Sequence, residues 1–121
     1  MLVGIGTDIV KVARFAQMQE AFVQRVFSVQ EQAYMRGKHF VTAAGLFAAK
    51  EAVAKALGTG FSGFFPCDVE ILHSPQGKPY VRLHNKAARA ARRRARGRYN
   101  LCVSISHTDE DAVAFAALTK R

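Results

Sequence analysis

Thr42-Ala43-Ala44-Gly45-Leu46-Phe47-Ala48-Ala49-Lys50-Glu51-Ala52-Val53-Ala54-Lys55-Ala56-Leu57 is the stretch on which the fold turns. Alanine, the strongest helix former, dominates it. Gly58 follows where a helix end favours glycine. The helix predicted over 42–57 is apolar nearly all round, so it should be buried on most sides. Glu51 and Lys55 lie four residues apart and share a face. On a surface helix they would form an ordinary ion pair worth ~0.2–0.5 kcal/mol. On a buried helix the carboxylate needs a partner, and a divalent cation would serve.

Towards the N-terminus, Leu2 to Val10 reads as a short strand. Gly4 and Gly6 weaken it as a central strand and predict a close backbone approach. Asp8 falls at its end, in a polar turn. Two roles are open to it: a helix N-cap, or a strand-end carboxylate that joins Glu51 at a metal. Two carboxylates with phosphate oxygens and waters is a common way to hold Mg²⁺. From Lys11 to about Phe27, Val12, Phe15, Met18, Phe22 and Val26 recur at helical spacing. Arg14 and Arg25 fall off that stripe and should be exposed. Ser28-Val29-Gln30-Glu31 has the form of a capping box, opening a short helix to about Met35 that Gly37 ends.

Towards the C-terminus, Gly58 to Gly63 reads as a flexible loop closed by Pro66. Val69–Leu72 and Tyr80–Leu83 read as strands of a hairpin around the turn residues Ser74 to Pro79. His84 to Arg96 is a basic, alanine-rich helix closed by Gly97. Leu101–Ser106 and Ala112–Leu118 read as strands joined by a turn over His107–Asp111. Helices and antiparallel strands mix without βαβ alternation, which predicts an α+β fold: a small antiparallel sheet packed with a long central helix. His107, at a strand end, is open to three roles: a turn residue, a phosphate ligand or a proton carrier.

The chain has 121 residues, half of them hydrophobic, enough for one domain spanning 1–121 with a packed core. No apolar run reaches the ~20 residues that span a bilayer, and the first residues lack the features of a secretory signal. The expected compartment is the cytoplasm. Cys67 and Cys102 lie among strand-like apolar residues and are expected to be small buried hydrophobes. Lys and Arg number 18 against 9 Asp and Glu, a net charge of +9. Such an excess speaks of anionic partners: nucleic acid, an anionic membrane surface, a polyphosphate ligand or an acidic protein. Arg89, Arg92, Arg93, Arg94, Arg96 and Arg98 form the densest basic cluster. It could be a nucleic-acid patch, but no aromatic interleaves it before Tyr99 and no nucleic-acid motif accompanies it.

Taken in order, Gly4-Ile5-Gly6-Thr7-Asp8-Ile9-Val10, Arg14, Phe27-Ser28 with Glu31, Phe47-Ala48-Ala49-Lys50-Glu51-Ala52-Val53-Ala54-Lys55-Ala56-Leu57-Gly58-Thr59-Gly60, Gly77-Lys78-Pro79 and Val103-Ser104-Ile105-Ser106-His107-Thr108 form a pattern. It resembles the bacterial holo-acyl-carrier-protein synthases, which are 4′-phosphopantetheinyl transferases. The resemblance covers essentially the whole chain. It implies transfer of phosphopantetheine from coenzyme A to a carrier-protein serine, dependent on Mg²⁺, with release of 3′,5′-ADP. It implies that Asp8 and Glu51 are the magnesium carboxylates. Lys55 then lies near the coenzyme A phosphates, and His107 in the coenzyme A pocket. Arg14, Met18 and Phe47 match the surface that receives an acidic apo acyl carrier protein. A homotrimer with active sites at subunit interfaces and a place in fatty-acid synthesis are also implied, and neither a membrane nor nucleic acid is an expected partner. Glu51, a metal-bound water and His107 all remain open as acceptors of the serine proton.

One residue departs from the family pattern. An arginine usually precedes the Phe-Ala-Ala-Lys-Glu block, and this chain has Leu46. Leucine cannot replace a multidentate cation. The expectation is weaker coenzyme A binding, or compensation by another base such as Lys50 or an arginine of a neighbouring subunit. Two other readings predict different behaviour. A basic nucleic-acid-binding domain would bind with steep salt dependence, and a carrier-binding relative would bind without turnover.

Overall fold

The computed structural model describes residues 1–121. Its elements, in order, are β1 (Leu2–Lys11), a 3-10 turn (Val12–Phe15), α1 (Glu20–Val26), α2 (Val29–Met35), α3 (Val41–Ala56), a second 3-10 turn (Pro66–Asp68), β2 (Val69–His73), β3 (Pro79–Leu83), α4 (Asn85–Ala95), β4 (Tyr99–His107) and β5 (Asp111–Lys120). Two antiparallel sheets form, a three-stranded one ordered β1-β5-β4 and the β2-β3 hairpin. The fold is α+β, as the mixed pattern predicts.

α3 is the central element. Ala43, Ala44, Leu46, Ala48, Ala49, Ala52, Val53 and Ala56 are all buried in one core with Ala112, Ala114, Ala116 and Leu118 of β5. Small residues on both partners bring helix and sheet close, and β1 comes closest. A Cβ on Gly4 would strike the carbonyl oxygen of Ala56, and one on Gly6 that of Ala52. The backbone approach expected from these glycines is therefore real. It also fixes direction. β1 runs antiparallel to α3, so each step of two residues along the strand moves back about one helical turn.

Four expectations need correction. The predicted helix over 11–27 is broken into the 3-10 turn and α1. The Val12 N–H still donates to Glu110 O, at 2.9 Å, so the chain is tied to the sheet's end when the turn begins. The tighter repeat then buries Val12 and Phe15 together, and an extended Gln19 restarts the helix. Asp8 is not at a strand end but pairs with Ala114 in mid-strand, which removes the N-cap role. Cys67 is only half-buried and Cys102 is exposed, because Cys102 alternates outward on β4. The basic helix closes one residue earlier than expected, on Arg96 in the left-handed region (φ 57°).

The other face of the three-stranded sheet is bare. Ile5, Ile9, Val113 and Phe115 point away from α3 and are exposed, Ile9 by 65%.

Candidate active site

Gly4, Gly6 and Asp8 alternate onto the same face of β1. With Gly4 against Ala56 and Gly6 against Ala52, the next step carries Asp8 alongside the preceding turn of α3, where Glu51 begins. Lys55 sits one turn further on. Its Nζ lies 3.4 Å from Asp8 Oδ1 and donates to Thr7 O at 2.8 Å. Asp8, Glu51 and Lys55 thus meet at one corner of the sheet–helix interface.

The electrostatics of this corner are unbalanced. Asp8 Oδ2 is buried and has no hydrogen-bond partner. Burial pushes the Glu51 carboxyl above the usual range, and the Asp8 charge pushes it further; Lys55 and Arg14 pull the other way. Two carboxylates therefore repel across a partly desolvated gap, and one has an oxygen unspent. Hard cations take such oxygens. No cluster of three or more His, Cys, Asp or Glu side chains suited to a metal exists in the chain. The donor set fits a cation that draws its remaining ligands from phosphate and water, as Mg²⁺ does.

Arg14 stands beside this corner. Its guanidinium lies over the ring of Phe47 at 5.6 Å and over that of Phe15 at 5.7 Å. Arg14 and Arg25 are exposed, as their position off the apolar stripe predicts. With Met18, Gln19 and Phe22 they line an open groove. Phe47 is half-buried and packs on Phe15 and Phe22, so it supports the groove from beneath.

His107 is separate from the corner. Asp8, Ala114 and Ile105 form one row across the sheet, and Val10, Ala112 and His107 the parallel row two residues along. The β5 strand intervenes, so the β1 and β4 backbones stand roughly 10 Å apart. His107 faces the same side of the sheet and lines a cavity of about 200 Å³ with Leu46, Ile105, Tyr34, His73 and Pro79. Tyr34 and His73 stack there, ring centroids 4.0 Å apart. Burial, and then the charge of Lys38, hold His73 below the usual histidine range, so it is neutral near pH 7. Leu46 is in this cavity, and an arginine there would have supplied a permanent cation.

Lys50 cannot stand in for it. Its side chain is fully buried, and Nζ donates to Glu31 Oε1 at 2.7 Å, Val69 O at 2.6 Å and Pro66 O at 3.1 Å. All three protons are committed. Glu31 is equally committed. It closes the expected capping box with Ser28 and accepts from Ile71 N–H at 2.8 Å. Burial draws the Lys50 pKa down, against the pull of Glu31. The sequence held a signal for this pair: a lysine inside an otherwise apolar helix needs a buried partner.

The family model described as the 4′-phosphopantetheinyl transferase superfamily matches residues 4–115. The holo-[acyl-carrier-protein] synthase of Clostridium beijerinckii is 43% identical over 123 residues, covering 98% of each chain. Among solved structures, the holo-(acyl-carrier-protein) synthase of Bacillus anthracis, in complex with CoA (3′,5′-ADP), superposes with a TM-score of 0.82. It is 32% identical, covering 100% of this chain and 99% of that one. The Helicobacter pylori enzyme in complex with coenzyme A gives 0.80 at 30% identity, over 95% and 99% of the two chains.

Proposed function

Because the chain belongs to the 4′-phosphopantetheinyl transferase superfamily as a holo-[acyl-carrier-protein] synthase, we propose that it transfers 4′-phosphopantetheine from coenzyme A to a serine of an acidic apo acyl carrier protein, with Mg²⁺. The observation that carries this reading is the corner itself: a buried, unspent oxygen on Asp8, close to a Glu51 carboxyl that burial and then the Asp8 charge hold above its usual range.

Transfer at phosphorus depends on positioning and on neutralising charge. Asp8 and Glu51 are the residues that would hold Mg²⁺, which supplies charge neutralisation at the coenzyme A pyrophosphate when bound. Lys55 adds a cation on the same corner, its Nζ half-exposed and free to turn from Thr7 O towards a phosphate oxygen. The serine oxygen forms a bond to the phosphorus that carries pantetheine. The bond from that phosphorus to the bridging oxygen breaks, and 3′,5′-ADP leaves. The serine proton must go to a base. Glu51, a water held at the corner or His107 would take it. The cavity of Leu46 and His107 lies on the same side of the sheet as the corner, where the adenosine end of coenzyme A would extend.

Arg14 and Met18, on their open groove, would receive the carrier protein, with Phe47 as the ring beneath Arg14. A chain of charge +9 steers an acidic partner. The bare sheet face of Ile5, Ile9, Val113 and Phe115 supports a homotrimer with active sites shared between neighbours, since exposed apolar faces mark interfaces. The reading includes a cytoplasmic role in fatty-acid synthesis. No helix is long and apolar enough to cross a membrane.

The test is the intact mass of an apo acyl carrier protein incubated with the protein, coenzyme A and Mg²⁺, beside a chelated control. Gain of one phosphopantetheine group in the Mg²⁺ arm alone is expected. No gain with several acidic carrier proteins would overturn the proposal.

A further inference from the structure

α4 has a chemical character that the transfer reaction does not use. Its basic residues are Lys86, Arg89, Arg92, Arg93 and Arg94, and it contains no acid. Arg92–Arg94 are explained by position, because cations in a last helical turn meet the negative end of the macrodipole. Arg94 also donates to Val3 O at 3.2 Å and packs beside Gly58, which ties α4 to β1 and to the end of α3.

Lys86 and Arg89 have no such explanation. Lys86 lies in the first turn, where the dipole disfavours a cation. Lys86, Arg89 and Arg93 are spaced i, i+3 and i+7, which brings three like charges onto one face. No ion pair relieves them. The four ion pairs of the chain are Lys11–Asp111, Lys50–Glu31, Lys55–Asp8 and His84–Glu70.

That face is concave. Lys86, Arg89 and Arg93 line a cavity of about 290 Å³ with Thr59, Ser62 and Gly63 of the loop that follows α3, and no carboxylate is among its walls. Gly60 and Gly63 hold positive φ, and a Cβ at either would meet nothing, so the loop backbone is open to approach. Arginine forks, an ammonium group and hydroxyls around a small hollow match phosphate oxygens. A flat nucleic-acid surface would instead offer aromatic platforms for bases, and the one aromatic here, Phe64, is buried.

We infer that the cavity between α4 and the Thr59–Phe64 loop binds a small phosphate-bearing anion, at a site separate from the corner of Asp8, Glu51 and Lys55. This does not rest on the transfer reaction.

The test is calorimetric titration of inorganic pyrophosphate into the metal-free protein at fixed ionic strength. It compares wild type, R89A, R93A, the R89A/R93A pair and K55A, with circular dichroism to verify folding. The expected result is saturable binding that weakens about tenfold in each arginine variant and survives in K55A. Loss in K55A with retention in R89A/R93A would put the anion at the catalytic corner and overturn the inference. Sulfate binding as tightly as pyrophosphate, or no saturable binding, would reduce the face to nonspecific charge and overturn it too. So would a single-stranded oligonucleotide that binds far more tightly than pyrophosphate and responds equally to R96A and R98A.

Discussion

Lys50 and Glu51 are adjacent in the chain, yet their side chains leave α3 for opposite environments. Lys50 enters the core and binds Glu31 and the Val69 carbonyl, while Glu51 faces the Asp8 charge at the sheet's corner. Helix geometry turns successive residues by about 100°, so anchoring one fixes where the other points. The buried pair therefore sets the rotation of α3 about its axis.

K50M should destabilise the fold by about 3–5 kcal/mol, because it leaves the Glu31 carboxylate buried without its cation. The double change E31Q/K50M should cost less than the sum of its parts. Urea unfolding of the four proteins measures both. Additive losses would mean that the two residues do not act as a pair.

At the corner, D8N and E51Q should each lower kcat/KM about a hundredfold or more, the scale of losing one electrostatic contact to a transition state. Their folds should persist, since neither carboxylate holds an element in place. Single-turnover assays across a Mg²⁺ titration, with circular dichroism alongside, read this out. Unchanged Mg²⁺ dependence in both variants would remove them from the metal site.

L46R should restore a cation to the cavity of His107. A charge-assisted hydrogen bond is worth ~1.5–3 kcal/mol, so the KM for coenzyme A should fall about tenfold with kcat nearly unchanged. Steady-state kinetics separate the two constants. If KM is unmoved, the anionic part of coenzyme A does not reach this cavity.

Glu70 gives the fold an acid limit. Burial raises its carboxyl, but hydrogen bonds from Ser28 and His84, with the charges of His84 and Arg82, outweigh burial and hold it below the ordinary 4.5. A depressed carboxylate contributes stability that is present above its unfolded pKa and lost as pH falls through the folded one. Stability should therefore drop below about pH 4.5, the ordinary value. E70Q should start less stable at pH 7 and fall less steeply. Thermal melts from pH 7 to pH 3 compare the slopes.

Much of this was legible in the sequence because it was local. The alanine run gave α3, Ser28 and Glu31 gave their reciprocal cap, and Gly4 and Gly6 announced a close approach. What stayed hidden was non-local or marked by no special residue. Nothing in Ala16-Gln17-Met18-Gln19 signals a helix break; the tie of Val12 to Glu110 imposes it. Cys102 looks like core by its neighbours, yet strand alternation turns it outward. Asp8 and Glu51 are too far apart in sequence for spacing to join them. Their meeting was read from family resemblance, and its geometric basis is the contact of β1 with the Ala52 and Ala56 carbonyls.

That contact has a mechanical meaning. Where side chains separate two elements, a substitution or a rotamer change can alter the gap by fractions of an ångström. Here the glycine backbone of β1 rests directly on the Ala52 and Ala56 carbonyls, with no side-chain layer between them. The distance between the two carboxylate-bearing backbones is a bearing surface, machined once, and it stays constant while the rest of the core repacks around it.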